Sequence, residues 1–256
     1  MWRALVWDVD GTLAETERDG HLVAFNQAFA ATGLPWRWDD EHYGHLLGVT
    51  GGRERLLFDM ASRDDAPHTG AGREALARML HRLKNERYAE LVNQGRIKLR
   101  PGVQALMDDC THAGLPMAIA TTTSRVNVHA LLNAALGAEW QQRFVAIVCA
   151  EDAPRKKPDP QAYMLALAAL GQQAGETLAI EDAPAGVIAA RAAGLPVIVT
   201  RSRYFAHADV SQAQAVGPGL HTRQGWSPTP PDADQQSRID LPTLQAWSPA
   251  LRVAAS

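Results

Sequence analysis

Apolar residues fall into two regimes along this chain. Between Trp2 and Trp7 they crowd into one short run, and similar runs recur at Met117–Ala120, Val145–Ala150, Leu178–Ile180 and Val197–Val199. Compact runs of this length, bounded by polar turn residues, predict buried strands. From residue 14 to residue 98 the apolar positions instead recur at helical spacing. Val23, Phe25, Ala28 and Phe29 form one stripe, which Gly33-Leu34-Pro35 ends. A second stretch runs to about Gly48, a third starts at Glu54 and stops around Asp64, and a charged helix covers Arg73 to about Gly95. Beyond Leu99-Arg100-Pro101-Gly102, helical stretches near 102–113, 125–136, 160–170 and 184–193 alternate with the short strands. Strand and helix alternating at this spacing predict a parallel sheet covered on both faces. The expected organisation is therefore an α/β core of residues 1–13 and 99–215, a helical insertion of residues 14–98, and a partly irregular tail of residues 216–256. The tail carries Ser227-Pro228-Thr229-Pro230-Pro231, with one short helix expected over Asp240–Trp247.

Ligands of an open parallel sheet bind beyond the carboxyl ends of its strands, so the residues standing there are informative. They are Asp8 and Asp10 after the first strand, Thr121 after the second, Lys157-Pro158 after the third, and Glu181-Asp182 after the fourth. Taken singly each has an ordinary explanation; a threonine-rich turn is usually a helix cap. Together they do not serve stability, because two unit charges about 4 Å apart repel by roughly 4 kcal/mol at an effective dielectric of 20. Clustered carboxylates suit a hard divalent cation such as Mg²⁺, which keeps positions for water and phosphate oxygens. A lysine offsets phosphate charge, and a threonine hydroxyl with nearby N–H groups holds phosphate oxygens. The expected occupant is a phosphoryl group bound through Mg²⁺.

Spacing i, i+2 on an extended segment turns Asp8 and Asp10 to the same side. One carboxylate can then attack phosphorus and form an aspartyl-phosphate while the other protonates the departing oxygen. Asp8, deeper in the strand, is assigned as nucleophile, and Asp10, on the outgoing turn, as acid and then base. Gly11 permits a sharp turn that aims the Asp10 carbonyl at the metal. Adjacent residues of a regular strand face opposite ways, so Asp182 is expected to bind the metal directly and Glu181 through water.

At these four segments the sequence resembles the haloacid dehalogenase-like phosphatases, over about residues 4–200. The motifs stand here as Asp8-Val9-Asp10-Gly11-Thr12, Thr121 after an apolar strand, Lys157-Pro158, and Glu181-Asp182-Ala183 with Gly186. The resemblance implies a Rossmann-like core with a helical cap inserted after the first strand. Within that superfamily, the stretch from Asp8 to Glu17, Val49-Thr50-Gly51-Gly52-Arg53-Glu54-Arg55 and Ala120 to Ser124 are similar to the CbbY group of sugar-bisphosphate phosphatases, relatives of β-phosphoglucomutase. That likeness implies a Mg²⁺-dependent phosphatase of xylulose 1,5-bisphosphate, an inhibitory by-product of Rubisco. Carried over by position, Asp8, Asp10, Thr121 and Lys157 would be catalytic, and Asp8, Asp10, Glu181 and Asp182 would serve the metal. Glu17, Thr50, Gly51, Gly52, Arg53 and Thr122 would contact the substrate, with His21 and Lys84 as further candidates. Arg53 stands where lysine is common, and Ala183 where serine usually follows the acid pair.

Composition narrows the alternatives. The chain has 256 residues, 46% of them apolar, and a net charge of -3 with no basic cluster, which argues against a nucleic-acid face. No apolar run approaches the roughly 20 residues of a membrane span, and the N-terminus lacks a leader pattern, so a soluble, cytoplasmic monomer is expected. Cys110 and Cys149 lack any metal-type pairing and are expected to be buried thiols. Thr50–Arg53 lacks the ending of a nucleotide-binding loop. His42 and His45 lack the glutamate of a zinc helix and read as a solvated face, and Trp36 and Trp38 read as cap packing or a partner surface. Two alternatives compete with the phosphatase: a phosphomutase with the same core residues, and a receiver-like phosphoacceptor module. The second would need an aspartate where Thr121 stands and no insertion of about 85 residues.

Overall fold

A computed structural model describes residues 1–231 and 234–253. Its centre is β1 (Ala4–Trp7), flanked by β2 (Met117–Ala120) and β4 (Thr177–Glu181). With β3 (Ala146–Val148), β5 (Val197–Thr200) and β6 (Ala215–Gly217) these form one parallel sheet in the order β3-β2-β1-β4-β5-β6. The chain winds outward from β1 to β3 and then crosses to β4. The order therefore reverses at β1, and the ends of β1, β2 and β4 open onto one crevice.

Alternation along the strands sorts the core into two layers. Leu5, Trp7, Met117, Ile119, Leu178 and Ile180 face one side. There they meet α5 (Val103–His112), α6 (Arg125–Leu136) and α9 (Leu241–Val253). The other side presents mostly small residues, among them Ala4, Val6, Ala118, Ala120 and Ala179. Small side chains let α7 (Gln161–Leu170) and α8 (Pro184–Ala192) lie close on the sheet through Ala162, Ala166, Ala189 and Ala190. Cys110 and Cys149 are free and buried.

β6 has no apolar run to announce it; it forms because its backbone completes the β5 edge. The described part of the tail is integrated into the core. Trp226 packs edge-on against Trp247 with ring centres 5.4 Å apart, and Arg238 forks onto Asp109 at 2.7 and 2.9 Å. Trp2 donates its indole N–H to the Leu244 carbonyl at 3.0 Å, so α9 clasps the strand that opens the chain. This helix begins one residue after the expected Asp240 and runs past Trp247 to Val253. Residues 232–233 and 254–256 of the expected irregular tail lie outside the described residues.

The insertion folds as a cap with its own core. A wide π-helical turn, Glu17–Leu22, leads into α1 (Val23–Ala31), followed by α2 (Asp40–Leu46), α3 (Gly52–Ala61) and α4 (Gly70–Asn93). Phe25, Phe29, Trp36, Trp38, Tyr43 and Leu80 form its centre. Both tryptophans anchor their N–H groups on acids, Trp36 on Asp65 at 2.7 Å and Trp38 on Asp59 at 2.9 Å, so they are packing residues. His42 also pairs with Asp59, at 2.8 Å. Two chain crossings join cap to core, and they are tied together by an antiparallel bridge between Ala14 and Leu99 and by the Arg100 N–H on the Leu13 carbonyl at 2.7 Å. Among the described residues, no helix is long and apolar enough to cross a membrane.

Candidate active site

β1 ends at Trp7, but its ladder continues for one residue through the Asp8 N–H, which donates to the Ile180 carbonyl at 3.1 Å. This holds Asp8 at the crevice, with only 6% of its surface exposed. Lys157 reaches in from the loop after β3 and donates to Asp8 Oδ1 at 2.7 Å and Glu181 Oε1 at 2.6 Å. The Tyr163 hydroxyl on α7 donates to the same Glu181 oxygen at 2.5 Å, and the Asp182 N–H donates to the other at 3.2 Å. Both Glu181 oxygens are thus occupied, whereas no hydrogen bond from a described residue reaches Asp8 Oδ2.

Carboxylate oxygens of Asp8, Glu181 and Asp182 lie within 4.8 Å of one another, and all three residues are buried. Both adjacent acids converge because β4 ends at Glu181; the strict alternation expected for a strand does not extend to Asp182. Two glycines make the room. A Cβ on Gly11 would come 2.0 Å from Asp182 Oδ2, and one on Gly186 would come 2.0 Å from Glu181 Oε1. Gly11 also holds φ at +82°, a conformation that other residues adopt only with strain.

One lysine cannot neutralise three carboxylates. Burial, and then repulsion from Glu181, push the Asp8 carboxyl up to about 7 despite Lys157. Burial, Asp8 and Glu181 raise Asp182 well above the carboxylate range. Burial alone would lower Lys157, but Asp8 and Glu181 more than offset it and hold the ammonium charged. A crowded set of hard oxygen donors with excess negative charge fits Mg²⁺, and Asp182, which bonds to Ser202 but not to Lys157, is the readiest ligand.

Asp10 is separate from this cluster. Its Oδ1 accepts from the Thr16 hydroxyl at 2.5 Å and lies 2.9 Å from His21 Nε2, while Thr123 donates its hydroxyl to Oδ2. Burial would raise its pKa, but His21 and these hydrogen bonds hold it well below the usual carboxylate range. Its carboxylate therefore points to the root of the cap. Thr121 is buried, lines neither cavity, and accepts the Thr123 N–H at 3.1 Å, which leaves its hydroxyl proton free to donate.

Two cavities meet at this point. The smaller, about 220 Å³, holds Asp8, Lys157, Glu181 and Asp182; the larger, about 780 Å³, lies between cap and core. Thr50 lines the smaller one and donates its hydroxyl to the Lys157 carbonyl at 2.5 Å. Gly51 and Thr122 line both, whereas Gly52, His21 and Lys84 line only the larger. Arg53 stands at its rim, paired with Glu54 at 3.4 Å and Glu74 at 3.6 Å. Lys84 is buried over the Phe25 and Tyr88 rings, and burial pushes its ammonium down to about 8 although Asp10 and Glu17 pull the other way. Glu17 lines both cavities and accepts the Tyr43 hydroxyl.

Sequence reasoning gave no role to Arg55, Tyr43, Thr16, Thr123 and Tyr163. Thr16, Arg55 and Thr123 sit inside motifs already singled out. Tyr43 and Tyr163 had no local signal, since their partners are distant in sequence.

Comparison with known proteins agrees with this geometry. A family model described as haloacid dehalogenase-like hydrolase matches residues 2–194. The plasmid-encoded protein CbbY of Cupriavidus necator is 44% identical over 245 residues, covering 96% of each chain. The crystal structure of CbbY from Rhodobacter sphaeroides in complex with phosphate superposes with a TM-score of 0.77 at 40% identity, over 83% of this chain and 92% of that one. A mutant of the same protein in complex with xylulose-(1,5)bisphosphate gives 0.79 at 39% identity, over 84% and 93%.

Proposed function

The chain belongs to the haloacid dehalogenase-like hydrolases, and from that premise we propose that it is a Mg²⁺-dependent phosphatase of a sugar bisphosphate, with xylulose 1,5-bisphosphate as substrate. The observation that carries this reading is the buried trio Asp8, Glu181 and Asp182, with a single lysine bridging the first two, on the wall of a cavity. The bisphosphate held by the solved CbbY relative supports the choice of substrate.

In this mechanism Asp8 Oδ2 attacks phosphorus, the ester oxygen departs, and an aspartyl-phosphate forms on Asp8. Lys157 holds Asp8 by its other oxygen and keeps it aimed. Asp8, Asp182 and the Asp10 main-chain carbonyl would hold Mg²⁺, with Glu181 acting through water, and the ion would supply positive charge to the phosphoryl oxygens. Thr121 donates its free proton to one of those oxygens. Asp10 protonates the departing oxygen and then accepts a proton from the hydrolytic water. Its low pKa makes it a carboxylate in the arrangement described here. Its pKa rises, and it takes up from solvent the proton it then gives, only when the incoming phosphate adds negative charge and the Thr16, His21 and Thr123 contacts are exchanged for substrate. Glu17, Thr50, Gly51, Gly52, Arg53 and Thr122 line the path of the sugar and second phosphate, and His21 and Lys84 stand behind it. Two buried thiols suit a reducing compartment, and a cytoplasmic monomer is the proposed setting.

Phosphate release from a panel of sugar phosphates, with xylulose and ribulose 1,5-bisphosphates included and with and without Mg²⁺, tests this reading. Mg²⁺-dependent release from a bisphosphate is expected. Isomerisation without release would overturn it in favour of a phosphomutase.

A further inference from the structure

Three strand ends meet on one side chain at the second crossing between cap and core. Arg100 follows Leu99, the residue bridged to Ala14, and its side chain is only 11% exposed. Nη1 donates to the Gly11 carbonyl, in the turn after β1, and to the carbonyl and hydroxyl oxygens of Thr200, at the end of β5, both at 3.1 Å. Nη2 donates to the Arg201 carbonyl at 2.6 Å and to the Pro218 carbonyl, just past β6, at 3.0 Å. Arg100 lines neither of the two cavities at the acid cluster.

Carbonyl oxygens beyond the carboxyl end of a sheet have lost their strand partners and need donors. A guanidinium suits a row of them, because its planar fork carries five N–H donors and needs no acceptor of its own. A lysine ammonium is a single point and cannot span Gly11, Arg201 and Pro218 together.

The turn gripped in this way is the one that carries Asp10. Gly11 donates its N–H to the Ala14 carbonyl at 2.8 Å, Leu13 to the Val9 carbonyl at 2.8 Å, and Arg100 to the Leu13 carbonyl at 2.7 Å. Arg100 thus holds this turn twice, by main chain and by side chain, and fastens it to β5 and β6 rather than to the cap. The Asp10 carboxylate is held from elsewhere, by Thr16, His21 and Thr123. An acid that exchanges those partners for substrate needs a main chain that does not follow the cap.

We propose that Arg100 is a positioning residue for proton transfer: it clamps the Asp10 turn to the sheet, so that Asp10 meets the departing oxygen in one fixed place while the cap moves. Arg100 acts through Asp10. This assignment rests on the phosphatase reading above and adds to it the element that aims the acid.

Two measurements on the full chain with Mg²⁺ present test it. Hydrogen exchange followed by mass spectrometry reads the turn: in Arg100→Gln, amides of residues 9–16 are expected to exchange about tenfold faster, and those of β1 and β4 at the wild-type rate. Kinetics read the proton. p-Nitrophenyl phosphate and phenyl phosphate present nearly the same shape, but phenolate is the poorer leaving group and needs more help from an acid. Arg100→Gln is expected to raise the ratio of kcat/KM for the nitrophenyl ester to that for the phenyl ester about tenfold, and Arg100→Lys by less. If the glutamine variant does not fold, the lysine variant carries both measurements. Where the wild type turns over neither aryl ester, the same ratio is taken between acetyl phosphate and xylulose 1,5-bisphosphate. Faster exchange with a ratio unchanged within about twofold would make Arg100 a structural clamp only and overturn the assignment. Unchanged exchange in the turn would overturn it as well. Wild-type enzyme that releases phosphate from no phosphate ester would instead overturn the phosphatase reading, so the two failures are distinguishable.

Discussion

The hydroxyl of Thr50, on the cap, donates to the main-chain carbonyl of Lys157, on the core, at 2.5 Å. Lys157 thus faces two ways: its ammonium organises the acids, and its backbone receives the cap. This bond makes cap position sensitive to the residue that neutralises the reacting carboxylate.

Thr50→Val keeps the shape of the side chain and removes that bond. A net hydrogen bond contributes about 1 kcal/mol, which corresponds to roughly a fivefold change in the cap equilibrium. KM for the bisphosphate is expected to rise about fivefold with little change in kcat, as measured by steady-state phosphate release.

Asp8→Asn removes the nucleophile and leaves a side chain of the same size. Turnover should fall by at least about three orders of magnitude, since a neutral amide cannot attack phosphorus. Circular dichroism should show an unchanged fold, because Lys157 keeps its bond to Glu181. Phosphatase activity near the wild-type level would remove Asp8 from the reaction.

Metal removal should show in stability as well as in rate. A ligand bound only by the folded state stabilises it by RT ln(1 + [L]/Kd) and so raises the melting temperature. Chelation is expected to lower the melting temperature of the wild type, and millimolar Mg²⁺ to restore it. With Asp182→Asn the Mg²⁺-dependent rise should largely vanish. If that variant responds to Mg²⁺ as the wild type does, Asp182 is not a ligand.

Lys84 gives a pH prediction. Its folded pKa is about 8, against 10.5 for the free side chain, because burial disfavours the charge. The unfolded chain then binds the proton more tightly, so the penalty is fully present below about pH 8. It shrinks as pH rises from about 8 towards 10.5. Lys84→Met should therefore be more stable than the wild type at pH 7, by on the order of 2 kcal/mol, with the difference narrowing above pH 8. Denaturant melts at both pH values would show this. The same variant should lose activity if Lys84 serves the substrate, which would mark it as a residue kept at a cost to stability.

Much of the fold was legible because it repeats local patterns. Short apolar runs announced β1 to β5, and α5, α6, α7 and α8 fell within two residues of their expected ends, whereas α9 ran six residues past its own. β6 escaped notice since Ala215–Gly217 has no distinctive pattern and is defined by pairing with Ile198–Thr200. The described tail was equally opaque. Trp226, Ile239, Leu244 and Trp247 are too widely spaced to look like a core, yet they cover one face of the sheet.

At the site, the sequence alone determined which acids and which lysine stand at the strand ends, because a parallel sheet sends its carboxyl ends to one edge. What only the tertiary structure decided is how each is used. Glu181 is saturated by Lys157, Tyr163 and the Asp182 N–H; Asp8 keeps a free oxygen; Asp10 turns to Thr16, His21 and Thr123. Strand position follows from local periodicity, but hydrogen-bond partners and charge balance depend on residues brought together from distant parts of the chain.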